Sequence, residues 1–300
     1  MKTECVVCGQ SESKLLYQGV IRTGDGRHYS SSEHAISVCQ CCGLARLEAG
    51  QVTMGDYQSG RYRANYNKDI SSDSYFSDHD GQEPDRLARI DTVNLRNRVI
   101  LDLGCGAGSF LDFVRGLAKE AVAVEPDLNY QTSLRERGYK TFGDAGKALG
   151  EYRGRVNTVT SFCVIEHTED PVSYLKQAYD LLTPGGCMYL ETDNLDCLPM
   201  KLSFKSFEKF FFRTAHSYYF DQNSLCRVAA DAGFVVTEKR FRQVYDLSNL
   251  LLWLRDGKPT GNGQLKDFDQ RINHSYQEYL EQTGLADRIF LSLEKPKTER

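Results

Sequence analysis

The run VILDLGCGAGSF, Val99 to Phe110, places one acid and three glycines where a strand must turn into a helix. Val99 to Leu103 is apolar apart from Asp102, as a buried strand requires. Gly104, Gly106 and Gly108 let the backbone turn sharply and approach a ligand that a Cβ would exclude. The segment SFLDFVRGLAKE then predicts a helix whose Phe110, Phe113, Val114 and Leu117 pack on a sheet. A second strand, AVAVEPD, carries Glu125 about twenty residues beyond the turn, where a carboxylate accepts hydrogen bonds from two ribose hydroxyls. The plain structural alternative is a tight strand-to-helix connection with no ligand.

The spacing selects among cofactors. A dinucleotide fingerprint places its third glycine three residues after the second, whereas Gly108 follows Gly106 by two and Ser109 holds the next position. Asp102 disfavours a nearby pyrophosphate and favours a cation, which the amino group and sulfonium of S-adenosylmethionine supply. With an acidic residue followed by G-x-G-x-G, the chain resembles the class I S-adenosylmethionine-dependent methyltransferases. The resemblance implies S-adenosylmethionine as cofactor and puts Asp144 beside its adenine amino group. The expected cofactor-binding set is Asp102, Gly104, Gly106, Gly108, Glu125, Asp144 and Phe162.

The elements that must position this set follow the same α/β rhythm. YKTFGDA predicts a short third strand ending near Asp144, and VNTVTSFCVIEHTEDP a fourth that stops at Glu166-His167. The helix VSYLKQAYDLL follows; Thr183-Pro184-Gly185-Gly186 breaks it and launches a fifth strand, CMYLETD. Doubly wound sheets bind ligands at the carboxyl ends of such strands. The expected fold is α/β, a Rossmann-like seven-stranded class I methyltransferase core with a small N-terminal zinc ribbon and a C-terminal insertion or cap. The expected domains are a ribbon over 1–50, a linker or lid over 51–96, and the core over 97–300 with substrate-capping insertions at 196–222 and 242–286.

Composition bounds the function class. The chain has 300 residues, 26% charged and 40% hydrophobic, which suits one α/β core with a smaller attached unit. A net charge of -4 gives no whole-molecule electrostatic footprint for nucleic acid. MKTECVVCGQ lacks the apolar core of a signal peptide, and no window reads as a membrane span, so the expected location is the cytoplasm. There, ten cysteines do not read as a disulfide framework.

Four of them have metal-ligand spacing. Cys5-Val6-Val7-Cys8-Gly9 and Cys39-Gln40-Cys41-Cys42-Gly43 are two C-x2-C-G knuckles, which together predict a closed, structural zinc site of Cys5, Cys8, Cys39 and Cys42. Free structural thiols and redox chemistry are the alternatives. Cys41 replaces a neighbour only by distorting its knuckle, and His28 and His34, between the knuckles, are not needed as ligands. Cys105, Cys163, Cys187, Cys197 and Cys226 read as small buried hydrophobes.

Two further stretches carry reactive side chains. Tyr57 to Phe76 is rich in tyrosine and arginine, a solvated linker or a lid over cofactor and acceptor with Tyr57, Tyr62 and Tyr66 reaching inward. LPMKLSFKSFEKFFFRTAHSYYF predicts an amphipathic helix with Lys201, Lys205 and Lys209 on one edge and Phe204, Phe207 and Phe211 on another face. That edge is either solvated or, with Arg213, neutralises the phosphates of a substrate. His216 follows at a loop-to-helix junction.

Knuckles, core, a histidine before Y-Y-F and a long insertion together resemble a narrower group: the zinc-ribbon methyltransferases of deoxysugar and surface-polysaccharide pathways, some acting at carbon on nucleotide-linked 4-keto sugars. The resemblance implies His216 as general base, His167 beside the acceptor and Tyr66 as a polar contact. Its C-methylating members carry a carboxylate immediately before the histidine; this chain has Ala215. Methyl transfer needs alignment of donor and acceptor and removal of one proton, for which a histidine titrating near neutrality is suited. The expected partner is a small nucleotide-sugar, without membrane or nucleic acid. An RNA methyltransferase is the alternative enzyme, since some ribosomal RNA methyltransferases carry a four-cysteine ribbon. Against it, Lys2, Lys14, Arg22, Arg27 and Arg46 are balanced by Glu4, Glu12, Asp25, Glu33 and Glu48. A non-enzymatic adaptor would not need the intact cofactor residues.

Overall fold

The computed structural model describes residues 4–23, 28–49, 54–59, 71–266 and 269–297. In chain order the strands are β1 (Ser13–Gly19), β2 (His34–Cys39), β3 (Ala45–Leu47), β4 (Val99–Leu103), β5 (Glu120–Val124) and β6 (Lys140–Phe142). They continue with β7 (Val156–Phe162), β8 (Leu182–Asp193), β9 (Tyr218–Tyr219), β10 (Val235–Arg242) and β11 (Arg288–Glu294). The helices begin with α1 (Met54–Gln58), α2 (Ser72–His79), α3 (Glu83–Leu87), α4 (Ser109–Val114), α5 (Leu128–Glu136) and α6 (Ala145–Tyr152). After them come α7 (Pro171–Leu181), α8 (Leu198–Lys201), α9 (Lys205–Phe211), α10 (Gln222–Asp231), α11 (Leu247–Asp256) and α12 (Gln270–Thr283). No helix among the described residues is long and apolar enough to cross a membrane.

Contacts divide the chain into two units. The sheet unit is Val52–Leu190, Val228–Glu238 and Leu291–Arg300; the knuckle unit is Met1–Gln51, Glu191–Arg227 and Lys239–Phe290. The sequence-based boundaries kept 97–300 together as one core, whereas contacts group Glu191–Arg227 and Lys239–Phe290 with the first fifty-one residues.

The fold is the expected α/β type, with a seven-stranded sheet in the order β10-β11-β8-β7-β4-β5-β6. β4 pairs in parallel with β5 on one side and β7 on the other, and β5 with β6. Chain progression therefore reverses at β4, a switch point of the kind at which α/β sheets bind ligands. Ile100 and Leu101 are fully buried, each side chain contributing about 1.5–3 kcal/mol. Beneath α4 and α5, Cys105, Leu111, Ala123, Leu134 and Tyr139 form one apolar cluster.

Four expectations are corrected in detail. The helix after the glycine turn ends at Val114, not Glu120, because Glu120 already starts β5. Its buried face is Phe110, Leu111 and Val114, while Phe113 is exposed. β7 stops at Phe162, Cys163 takes a φ of 58°, and Glu166-His167 lie on the 3-10 turn Ile165–His167. Thr183 to Gly186 fall inside β8, where the Gly185 N–H donates to the Lys295 carbonyl. The fourth is the lysine helix: Ser203 at a φ of 54° splits it into α8 and α9.

In the knuckle unit a second sheet runs β1-β2-β3-β9, antiparallel throughout. Its register pairs Val38 with Ala45 and Ala45 with Tyr219, so distant segments share one ladder. Ile21, Ile36, Leu47, Phe211, Phe212 and Tyr219 form the apolar core beside it. Arg242 forks onto Glu191 at 2.7 and 2.8 Å, a buried bidentate pair that ties β10 to β8.

Candidate functional site

In the sheet unit, the turn from β4 to α4 is built as its glycines demand. Gly104 has a φ of 75° and Gly106 a φ of 56°. A Cβ on Gly104 would lie 2.5 Å from Val164, and one on Gly106 would collide with the Tyr75 phenol. Tyr75 itself stacks on His79 with ring centroids 3.9 Å apart and meets Tyr130 edge-on. Ser109 Oγ donates to Asp80 at 2.6 Å, fastening the segment after α2 to the start of α4. Sequence reasoning placed the lid tyrosines elsewhere in this stretch and missed Tyr75, because α2 is mostly polar and carries no strong helical period.

Glu125 closes the turn from below. One carboxylate oxygen accepts the Gly106 N–H at 2.8 Å and the other the Asp127 N–H at 2.9 Å. Asp102 is buried on β4 and accepts from Thr160 Oγ1 at 2.7 Å. Burial pushes its carboxyl up to about 7; nearby Glu83 and Glu125 add to the rise, while the Thr160 hydrogen bond and Arg86 oppose it.

Glu83 and Arg86, a buried pair at 3.0 Å on α3, were not singled out from sequence; their i,i+3 spacing was the only signal. The Arg86 guanidinium lies 4.7 Å over the Phe162 ring, which in turn meets Phe110 edge-on at 5.0 Å. Three buried carboxylates, Glu83, Asp102 and Glu125, thus lie near one another, with Arg86 close enough to act on Asp102 as well as on Glu83. Asp144 caps α6, accepting the Lys147 N–H at 2.8 Å. His167 Nδ1 is 2.9 Å from the Tyr57 hydroxyl, so Tyr57 does reach a histidine. Tyr62 and Tyr66 lie outside the described residues.

In the knuckle unit, Cys5, Cys8, Cys39 and Cys42 bring their sulfurs within 4.8 Å of one another. Cys5 and Cys42 are 3.5 Å apart, as are Cys8 and Cys39. The two turns are alike: Gly9 N–H donates to Cys5 O, and Gly43 N–H to Cys39 O. Burial raises the Cys39 thiol, but hydrogen bonds from the Cys42 and Cys41 N–H groups and from the Cys8 and Cys42 side chains together bring it down to about 7. Cys41 is exposed, and His34 Nδ1 is 3.1 Å from the Ala49 carbonyl; neither belongs to the cluster.

His216 is buried just before β9, with Nδ1 at 3.6 Å from Asp193 Oδ2. The preceding turn is pinned by Tyr219, whose hydroxyl accepts the Arg213 N–H and donates to the Arg213 carbonyl. Asp193, the last residue of β8, also pairs with Arg213 at 3.2 Å and with Arg288. The carboxylate beside His216 is thus one at a strand end, Asp193, and not a neighbour in sequence. Lys201, Lys205 and Lys209 do not form one edge. Lys201 pairs with Asp196, Lys205 is exposed on α9, and Lys209 lies 4.9 Å over Tyr29. Only Arg213 of that set joins Asp193.

A family model described as a methyltransferase domain matches residues 75–239. Among curated relatives, the ubiquinone biosynthesis O-methyltransferase of Ruegeria pomeroyi is 34% identical over 103 residues, 32% of this chain and 41% of that protein. The enzyme of that name from Cupriavidus pinatubonensis is 27% identical over 55% of this chain and 74% of its own length. The chain spans about half or less of the first curated relatives it matches. An S-adenosylmethionine-dependent methyltransferase structure from Archaeoglobus fulgidus superposes with a TM-score of 0.50 at 16% identity, covering 72% of this chain and 94% of that one. A Thermotoga maritima methyltransferase structure gives 0.52 at 18% identity over 81% and 100%. At these identities the two structures speak for the fold.

Proposed function

Because this chain belongs to the class I S-adenosylmethionine-dependent methyltransferases, we propose that it methylates, at carbon or oxygen, a small nucleotide-activated deoxy- or keto-sugar. The observation that carries the donor half is the grouping of buried Glu83, Asp102 and Glu125, with Glu125 bonded to the glycine turn and Asp102 on the strand that enters it. Asp102 would hold a cationic group of the donor, and Glu125 its ribose hydroxyls. Asp144 would stand at the adenine edge, and Phe162 would wall the site. When bound, S-adenosylmethionine would supply an electrophilic methyl group, and the acceptor would have to give up one proton to this chain's residues.

His216 is the residue proposed to take that proton, with the Asp193 carboxylate 3.6 Å from its Nδ1 to favour the protonated ring. His167, oriented by Tyr57, is proposed to flank the acceptor. Cys5, Cys8, Cys39 and Cys42 would hold one zinc ion; four thiolates leave no open position, so its role would be structural.

A second reading takes its support from the names of the relatives above: O-methylation of an acceptor in ubiquinone biosynthesis. The RNA alternative gains no support from them. Calorimetry with S-adenosylmethionine tests the shared donor half. Glu125→Ala removes a charged acceptor and should weaken binding by about 1.5–3 kcal/mol. Unchanged affinity in that variant would overturn the donor assignment.

A further inference from the structure

The knuckle unit holds a cavity of about 150 Å³ with an aromatic wall of Phe207, Phe210, Trp253 and Tyr276. Trp253 on α11 meets Phe207 and Phe210 of α9 edge-on, with ring centroids 5.4 and 5.1 Å away. Tyr276 comes from α12, so three helices contribute to this wall. Asp193, at the end of β8, also lines the cavity and lies 3.6 Å from His216 Nδ1. The cavity therefore shares an acid with the residue proposed as base.

The charged groups on the wall balance one another. Arg22, Arg213 and Arg288 stand there with Asp193, Asp246 and Asp287. Asp193 pairs with Arg213 and Arg288. Asp246 takes the backbone N–H groups of Asn249 and Gly263 at 2.9 and 2.6 Å, and Asp287 those of Val244 and Tyr245 at 3.1 and 3.0 Å. With three groups of each sign, an ionic ligand would bring a charge that the wall does not call for.

Open hydrogen-bonding capacity lies instead on neutral groups. Trp253 is 4% exposed, yet its indole N–H has no acceptor among the described residues. Asn249, on the same wall, is 5% exposed; its side-chain amide donates to the Gly261 carbonyl at 3.2 Å, while its oxygen accepts from none of the described residues. The Tyr276 hydroxyl likewise makes no hydrogen bond with them. Burial, with Asp287, the Cys197 thiol and Asp246 nearby, pushes that phenol up, so it stays a neutral hydroxyl. A buried indole N–H ordinarily finds a partner, and a polar group left without one costs stability.

A cavity of ~150 Å³ takes up one benzene-sized ring, and ligand sites combine apolar walls with a few convergent polar groups. A donor on Trp253, an acceptor on Asn249 and the Tyr276 hydroxyl, which is both, complement hydroxyl groups, which also donate and accept. We infer that this cavity is a binding subsite for an uncharged six-membered ring bearing hydroxyl groups, with Trp253, Asn249 and Tyr276 as its polar contacts. Such a subsite would serve the acceptor in the methyl-transfer reading, and it rests on that reading only for its place in the reaction.

Monosaccharides and phenols share this chemistry, so both are used as probes. Full-length protein without methyl donor is titrated with fucose and with catechol, and with benzoate and benzene as rings that carry a charge or no hydroxyl. Binding is read by calorimetry and saturation-transfer NMR. Saturable binding of fucose or catechol is expected, with benzoate and benzene at least about tenfold weaker. Tyr276→Phe and Trp253→Phe delete one hydroxyl and one indole N–H; each should weaken the preferred ring about three- to tenfold while thermal melts show both variants folded. A preference for fucose assigns the subsite to a sugar acceptor, and a preference for catechol to a phenolic one. No saturable binding of either ring, equal binding of benzoate or benzene, or unchanged affinity in both variants would leave the cavity to water and overturn the assignment. Because no methyl donor is present, ring binding without methyl transfer to any acceptor would sink the enzymatic reading and leave the subsite standing.

Discussion

Asp102 should make donor binding depend on pH across neutrality. Its carboxyl titrates near 7 in the ligand-free protein because it is buried beside two other acids. A cation binds the ionised form, so apparent affinity scales with the ionised fraction. That fraction falls from roughly nine-tenths at about pH 8 to roughly one-tenth at about pH 6, so affinity for S-adenosylmethionine should drop about tenfold over that interval. Asp102→Asn removes the charge but keeps an acceptor for Thr160. The variant should bind more weakly than wild type at about pH 8, by about 1.5–3 kcal/mol, with a flattened pH profile.

The same shift predicts an opposite effect on stability. A carboxyl whose pKa in the fold lies above the ordinary value of 3.8 favours folding in its protonated form, and that contribution is lost as pH rises through about 7. Ligand-free Asp102→Asn should then be more stable than wild type at about pH 8, by about 2–4 kcal/mol, with the gap closing below about pH 4. Calorimetric binding and thermal melts on both proteins at several pH values measure each effect. A wild-type affinity that stays flat between about pH 6 and about pH 8, or a variant less stable than wild type at the upper end, would refute the reasoning.

Further expectations concern the remaining parts of the site. Cys8→Ser should lose most of one equivalent of zinc by metal analysis, with faster proteolysis of the first fifty residues; full retention would show a different ligand set. Gly106→Ala forces a side chain to a φ of 56° against the Tyr75 phenol, so melting should reveal a loss of about 1–3 kcal/mol together with weakened donor binding. His216→Ala should lower turnover by roughly 10²–10⁴ with little change in donor affinity, and an unchanged rate would remove it from the mechanism.

What was legible in the sequence was what is local. The glycine turn, the strand before it and Glu125 belong to one β-α-β unit, and each C-x2-C-G knuckle is a single turn closed by two backbone bonds. The missed features depend on distant pairings. Asp193, His216 and Arg288 meet only because β8, the turn before β9 and the start of β11 converge, and nothing in the spacing of those residues encodes that. The continuous lysine edge failed for a local reason of a different kind. Ser203 adopts a left-handed conformation that periodicity arguments do not anticipate, and the break at Leu202–Phe204 separates Lys201 from Lys205 and Lys209.

The central claim is methyl transfer from S-adenosylmethionine to a small nucleotide-linked acceptor, and its most direct test uses methyl-labelled donor. Purified full-length protein is incubated with that donor and, separately, with a panel of nucleotide-linked 4-keto and deoxy sugars, ubiquinone precursors and RNA transcripts, and products are resolved by mass. Label on a nucleotide-linked sugar, dependent on His216, is the predicted result. Label confined to a ubiquinone precursor or to RNA, or demethylated donor formed with no labelled acceptor, would contradict it.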